Sequence, residues 1–362
     1  MPSESPRWRQ SGWITRSFGR PRPTPILWIL AAPLLVLWPS AAVQSQNPAA
    51  SSVSVAEIAE AVKWIRAESG TYDQHDYIVS ASVRLLFFWV SRDDVGQGYI
   101  RIGPHPLGGG AERVELLMGS DPAKVPMKIN RWGAATEVYR PSDRTGAFFG
   151  FMKSSKGQSV SEMRAELSRE DQSGKYLFDG NLTRQSQNRA VAMVVPITSD
   201  TDFTLHQLPQ AEEMVVDRLG TTTRPPRVLE ASDLKDCSSG RGFLFTVREL
   251  IEACLSGLKL PQTRCYTYSG RRYTLTLQEA KSVAERKVPL KLRGAAKTVE
   301  SVYRDLQDAG FRITNMQTGN RTDFRLLYGT SGKLRGIPVL VEYQPNWWFK
   351  AILKAKPEPT AP

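Results

Sequence analysis

The 362-residue sequence is short of the residues that most often carry chemistry. It has three cysteines, too few and too scattered for a disulfide-built mini-protein, and no C-x-x-C for thiol-redox catalysis. It has three histidines, His75, His105 and His206, so a zinc ribbon or multi-histidine metal centre lacks ligands. No G-x-x-x-x-G-K-[ST], G-x-S-x-G or H-E-x-x-H occurs. Gly96-Gln97-Gly98 opens like a dinucleotide fingerprint, but Arg101 stands at the third glycine and a strand pattern follows. Ser232-Asp233-Leu234-Lys235 and Ser256-Gly257-Leu258-Lys259 match S-x-x-K, without the companion motifs that would make either a nucleophile. No repeat has a solenoid period. No cofactor and no metal are expected.

Long apolar runs are also scarce. The one candidate is Pro25–Trp38, 14 residues after five arginines and before Pro39-Ser40-Ala41-Ala42. It is shorter than the roughly 20 residues that cross a bilayer, and Pro33 interrupts it. Ser40 and Ala42 suit the small-residue positions of a signal-peptidase site, so residues 1–42 read as a secretory signal peptide. The alternative is a retained N-terminal membrane anchor. The expected location is exported, periplasmic or extracellular, where disulfides form.

The sequence is rich in strand-forming patterns and in asymmetric charge. Residues 43–220 carry a net charge of −3 and residues 221–362 carry +11. Such a division suggests a C-terminal surface that meets something anionic. In an exported chain, lipid headgroups or an acidic envelope polymer suit it better than nucleic acid. The densest cluster is Lys281, Arg286, Lys287, Lys291, Arg293 and Lys297, and a second candidate surface is the interfacial aromatic group Trp347, Trp348 and Phe349.

Periodicity divides the chain further. Residues 43–54 read as a flexible leader and 221–232 as a Pro-rich connector. A β-rich domain with an N-terminal helix is expected over 55–220, a basic α+β domain over 233–355, and a disordered tail over 356–362. Val55, Ile58, Val62 and Ile65 predict the helix, and Tyr77–Val90 alternates as one long strand before a turn over Arg92–Gly98. Strands are predicted around 114–118, 136–139, 147–152, 176–178 and 190–195, with a helix over Ser159–Leu167 between them. In the second half, Thr246–Glu249 predicts a capped helix with Cys254 facing inward. Ser269-Gly270 predicts a hairpin pairing Tyr266 with Tyr273, and Gly319-Asn320 a second pairing Phe311 with Tyr328. Val299, Val302, Tyr303 and Leu306 predict a helix closed by Gly310. The expected fold class is α+β and β-rich, with two antiparallel curled-sheet domains and a few packed helices.

Phe324–Tyr328, Gly336-Ile337-Pro338-Val339 and the closing Trp-rich strand resemble the terminal hairpin of uncharacterised secreted β-rich domains of bacterial envelopes. The resemblance covers about the last 50 residues. It implies an envelope location and a sheet fold, and no activity.

Three cysteines leave one unpaired. Cys254–Cys265 is the leading disulfide and Cys237–Cys254 the runner-up, and three free, partly buried thiols are the alternative to any bridge. A curled sheet around an aromatic face suits an apolar ligand. The expected function is therefore a non-catalytic envelope protein that binds an amphiphile or an anionic envelope surface. One alternative is a hydrolase with dispersed residues around Asp73, His75 and Asp93. Another is a scaffold that binds a second envelope protein.

Overall fold

The computed structural model describes residues 55–66, 71–85, 88–125, 130–153, 176–184, 189–197, 199–221, 227–229, 237, 241–268, 270–292, 298–346 and 349–356. The signal peptide, the leader, the helix predicted over 159–167 and most of the connector lie outside them.

Fourteen strands form one antiparallel sheet, in the order β8-β7-β6-β5-β4-β3-β2-β1-β14-β13-β12-β11-β10-β9. The strands are β1 (Asp73–Leu85), β2 (Phe88–Pro104), β3 (Glu112–Ser120), β4 (Trp132–Arg140), β5 (Thr145–Lys153), β6 (Tyr176–Arg184) and β7 (Arg189–Ile197). They continue with β8 (Arg227–Leu229), β9 (Gln262–Tyr268), β10 (Arg271–Leu290), β11 (Val299–Asn315), β12 (Arg321–Gly329), β13 (Pro338–Asn346) and β14 (Phe349–Ala355). This corrects the expectation of two curled-sheet domains. β1 pairs with β14 from Tyr77↔Ala355 to Val83↔Phe349, and that seam fuses the two strand sets. Local periodicity carries no signal for a pairing between opposite ends of a chain.

The sheet curls until its end strand β9 approaches β6. Thr267 of β9 meets β6: the Asn181 amide donates to its carbonyl and hydroxyl at 3.3 Å each, and its hydroxyl lies 3.2 Å from that of Thr183. Side chains, not a backbone ladder, nearly close the barrel.

Three helices occur among the described residues: α1 (Val55–Arg66), α2 (Leu208–Thr221) and α3 (Phe243–Leu255). Ile58, Val62 and Ile65 of α1 and Ala211, Val215 and Leu219 of α2 pack on one face of β3–β7, against Trp132, Phe149 and Phe178. On the other face, Leu250 and Ile251 of α3 pack among Tyr273, Leu275, Phe311, Val339 and Tyr343, inside the curl.

Three local expectations fail, one at a hairpin and two at irregular strands. The expected long strand 77–90 is a hairpin, because Leu85 already pairs with Phe88 and Arg84 with Trp89. The turn expected over 92–98 lies inside β2, where Val79↔Gly96 gives way to Ala81↔Arg92 and Asp94 adopts φ 50°. Three residues oppose one there, which is a bulge. The helix expected over 299–310 is strand β11. Arg304 and Asp305 are consecutively exposed, Asp305 has φ 52°, and Leu306 then returns inward. That break in a period-2 pattern imitates a helical one. The first hairpin pairs Tyr266 with Tyr273 as expected. The second pairs Phe311 with Phe324, four residues from the expected register, because its loop spans Asn315–Asn320. An even slip leaves every side chain on its expected face.

Candidate functional site

Alternation on β3 sends Leu116 and Met118 into the curl and Glu115 and Leu117 to the helix-covered face. Next to them β4 presents Gly133 and Ala135, whose small size leaves a gap, and β5 presents Phe148. The β9–β10 hairpin and the first turn of α3 cover this gap with Tyr266, Tyr268, Tyr273, Phe243 and Leu244. Tyr266 stacks on Tyr273 at 5.4 Å, and Phe148 meets Tyr268 edge-on at 4.7 Å. The cavity is small, about 40 Å³. It is a narrow, almost wholly apolar slit.

A buried acid borders the slit. The Glu137 carboxylate, on β4 two residues from Ala135, accepts the backbone N–H of Leu244 at 2.8 Å and of Phe245 at 3.0 Å. Burial pushes its pKa up to about 7, and the N–H donors pull the other way. The inward face of β6 adds Asp179, Asn181 and Thr183, all buried. The interior is therefore apolar at the slit and polar where β9 meets β6.

The sequence-based candidates separate in space. Cys265 is bonded to Cys237, and Cys254 is a free thiol, which corrects both expected pairings. Cys254 lies on α3 and contacts the core around Tyr328, whereas Cys237 Sγ lies 3.9 Å from Tyr266 O on β9, beside Cys265. Of the basic cluster, Lys281, Arg286, Lys287 and Lys291 are exposed, the first three on β10; Arg293 and Lys297 lie outside the described residues. β10 and β11 continue past β9 and β12 as a two-stranded arm. One face of the arm is buried: Val288 and Tyr303 join the core, and the Tyr303 hydroxyl donates to Ala355 O at 3.0 Å. The other face exposes Val302 (48%), with Lys287 opposite it, whereas Val299 (45%) is exposed at the tip of the arm, opposite Leu290 on the same side as Val288 and Tyr303.

Trp347 and Trp348 lie outside the described residues, and the backbone of Phe349 pairs with Val83. Exposed Trp89 and Val90 flank that same end of β1, opposite Arg84 and Val83. The residues of the hydrolase alternative are not assembled. His75 pairs with Ile100, seven residues along β2 from Asp93, roughly 20 Å at strand spacing. Asp93 binds Lys354 at 3.0 Å and Asp94 binds Lys124 at 2.8 Å. Among the described residues, no three His, Cys, Asp or Glu side chains form a group that could hold a metal ion.

Sequence reasoning missed Glu137. The signal was there: in Trp132–Arg140 it shares the inward face with Gly133, Ala135 and Tyr139, a lone acid in an apolar register.

No protein-family model matches the chain, and no curated protein matches it. Two solved structures are distantly similar. One is a β-barrel-like protein of a domain of unknown function (DUF1849) from Brucella abortus, with TM-score 0.43 and 8% identity over 78% of this chain and 95% of that one. The other is described as a "putative lipoprotein" from Parabacteroides distasonis, with TM-score 0.22 and 7% identity over 80% of this chain and 98% of that one. Both likenesses are too weak to carry a function, and the chain stands as a β-rich, barrel-like protein with no characterised relative among them.

Proposed function

We propose that this protein is a non-catalytic exported envelope protein that binds an amphiphile, with the apolar tail in the slit between β3–β5 and the β9–β10 hairpin. The observation that carries this reading is the slit itself, apolar on all sides inside a curled sheet. Each methylene moved from water into such a site is worth about 0.8 kcal/mol, so a tail of modest length supplies useful affinity. The slit is narrow when empty, and a tail enters by spreading the tyrosine hairpin away from Phe148. A disulfide between Cys237 and Cys265 fits an oxidising compartment and supports export.

The test is native mass spectrometry of the chain purified from its host's envelope fraction, followed by titration of stripped protein with a fatty acid and a lysophospholipid. A co-purifying or titratable amphiphile is the expected result. A bare mass together with no binding of either probe removes the reading.

The exposed face of the β10–β11 arm favours a second activity of the same protein, docking at an anionic membrane. Exposed Val302 lies opposite Lys287, in an arm that also exposes Arg286 and Lys291, and near an anionic surface each charge contributes about 1 kcal/mol. Flotation with vesicles that contain an anionic lipid, against neutral vesicles, tests it.

A further inference from the structure

A polar cleft of about 510 Å³ lies on the opposite face of β3 from the slit, bounded by β1, β2, the end of α1 and the start of α2. Four cations line it: Arg66, Arg101, Arg113 and Lys356. The carboxylates are Glu115, Glu212 and Asp76, and His206 stands at the α2 side, within 3.1 Å of the Gln97 amide.

The ion pairs inside this cleft are long. Arg101 and Arg113 approach Glu115 at 3.7 and 3.6 Å, and Arg66 approaches Glu212 at 3.8 Å. None of these is a hydrogen-bond length. The short bonds go elsewhere: Glu115 accepts the Tyr99 hydroxyl at 3.1 Å, and Arg101 Nε donates to Gln74 at 2.7 Å. Arg113 Nε is buried with no hydrogen-bond partner, and the Glu115 side chain is only 5% exposed. A buried guanidinium donor without an acceptor is costly unless something else completes it.

Two rings set the guanidinium planes. Arg101 lies over Tyr99 at 4.1 Å, and Arg101 and Arg113 each lie 5.9 Å from the Tyr72 ring. Stacking on ring faces leaves the N–H edges to meet an acceptor in the cleft. Burial and the nearby Glu115 push the Glu212 pKa up to about 7, so near neutral pH its charge is only partly present and the cations outnumber the anions.

We propose that this cleft binds a small hydroxylated molecule by its oxyanion, a carboxylate or a phosphate monoester. The oxyanion takes the Nη donors of Arg113 and Arg101, whose contacts here are long, 3.5 Å from Arg113 to the Tyr72 hydroxyl and 3.6 and 3.7 Å to Glu115, a pairing that planar two-oxygen groups complete well. The carboxylates and tyrosine faces around it accept hydroxyl protons and cover the ring or chain that bears them.

Calorimetric titration of the purified chain with glucuronate, glucose 6-phosphate and glucose tests this. Binding of at least one acidic sugar with glucose silent is the expected result, and the preferred acid identifies carboxylate or phosphate as the group read. Arg113→Gln and the more exposed Arg101→Gln are each expected to weaken binding about tenfold or more. Silence of both acidic sugars at millimolar concentration, or binding that survives unchanged in folded Arg101→Gln, overturns the proposal. Because the slit occupies the other face of β3, this outcome leaves the amphiphile reading standing or falling by itself.

Discussion

Glu137 on β4 accepts the backbone N–H of Leu244 at 2.8 Å, across 107 residues of sequence, and so closes the first turn of α3 from outside the helix. A helix begins with N–H groups that have no partner within it, and the N-cap residue's own side chain commonly takes one. Here the N-cap is Gly242, which has no side chain. A Cβ at that position would stand 2.7 Å from the Glu137 carboxylate. The glycine clears the space and the sheet supplies the cap, which pins the interior helix to the wall of the slit.

Removing that cap therefore costs more than removing an exposed one. Glu137→Ala leaves two buried N–H donors unpaired and opens a cavity, for an expected loss of about 2–4 kcal/mol. Glu137→Gln retains one acceptor oxygen and loses less. Urea denaturation of the two variants beside the parent measures both; equal stability of all three would show that α3 is held by its apolar face alone.

Stability is expected to fall as pH rises from about 4.5 to about 7. The ordinary carboxyl value is 4.5, and burial pushes Glu137 to about 7 in the fold. Between those values the folded state holds more protons than the unfolded state, so the linkage slope is negative. The contribution is complete below 4.5 and lost through 7. Glu212, also pushed to about 7, adds the same sign from the other face of the sheet. Thermal melts across this window should show the decline, and Glu137→Gln should flatten it only in part.

The strand content was legible in the sequence because period-2 alternation is local: the elements from Val114 to Val195 and the Tyr266–Tyr273 register follow from it directly. The architecture was not. The β1–β14 seam pairs Tyr77 with Ala355, and no window of sequence contains both. The three-against-one bulge around Asp94 imitates a turn, and the consecutively exposed Arg304 and Asp305 break the alternation of β11 and imitate a helix. Arg101, Arg113, Glu115 and Glu212 look like ordinary surface charges in sequence, and only the packing of α1 and α2 on β2–β3 gathers them into a cleft.

The disulfide prediction separates the cysteines by role. Closing the 28-residue separation between Cys237 and Cys265 is worth about 3–4 kcal/mol by loop entropy. Reduction should lower Tm in the parent protein. Cys237→Ser and Cys265→Ser should each reproduce that loss without adding to one another, and Cys254→Ser should leave the response to reductant intact. Thiol titration of the denatured, unreduced chain should find one free thiol.

Closure of the sheet rests on Thr267. Its hydroxyl is the partner of Thr183 and one of two acceptors for Asn181, so Thr267→Val is expected to cost about 1–2 kcal/mol. Thr267→Ser keeps the hydroxyl and should cost less. A double-mutant cycle with Thr183→Val reads the coupling across the seam. No coupling would mean that the two strands merely lie near each other.

The slit makes a prediction in which stability and binding move in opposite directions. Ala135 lines the gap between Leu116, Phe148 and the tyrosine hairpin, and it is buried. Ala135→Leu places three more carbons in space that is too narrow for much water but that an acyl chain would take. Filling an apolar gap favours the fold when the new side chain finds a rotamer, and overpacking costs about 1–3 kcal/mol when it does not. If the tail binds there, the variant should bind a fatty acid or lysophospholipid at least about tenfold more weakly, the loss of roughly two methylenes of contact. Arg113→Gln, on the other face of β3, should bind the amphiphile as the parent does. A folded Ala135→Leu protein that keeps full amphiphile affinity would place the tail outside the curl, against the exposed valines of the β10–β11 arm, and vesicle flotation of Val302→Ser would then decide the matter.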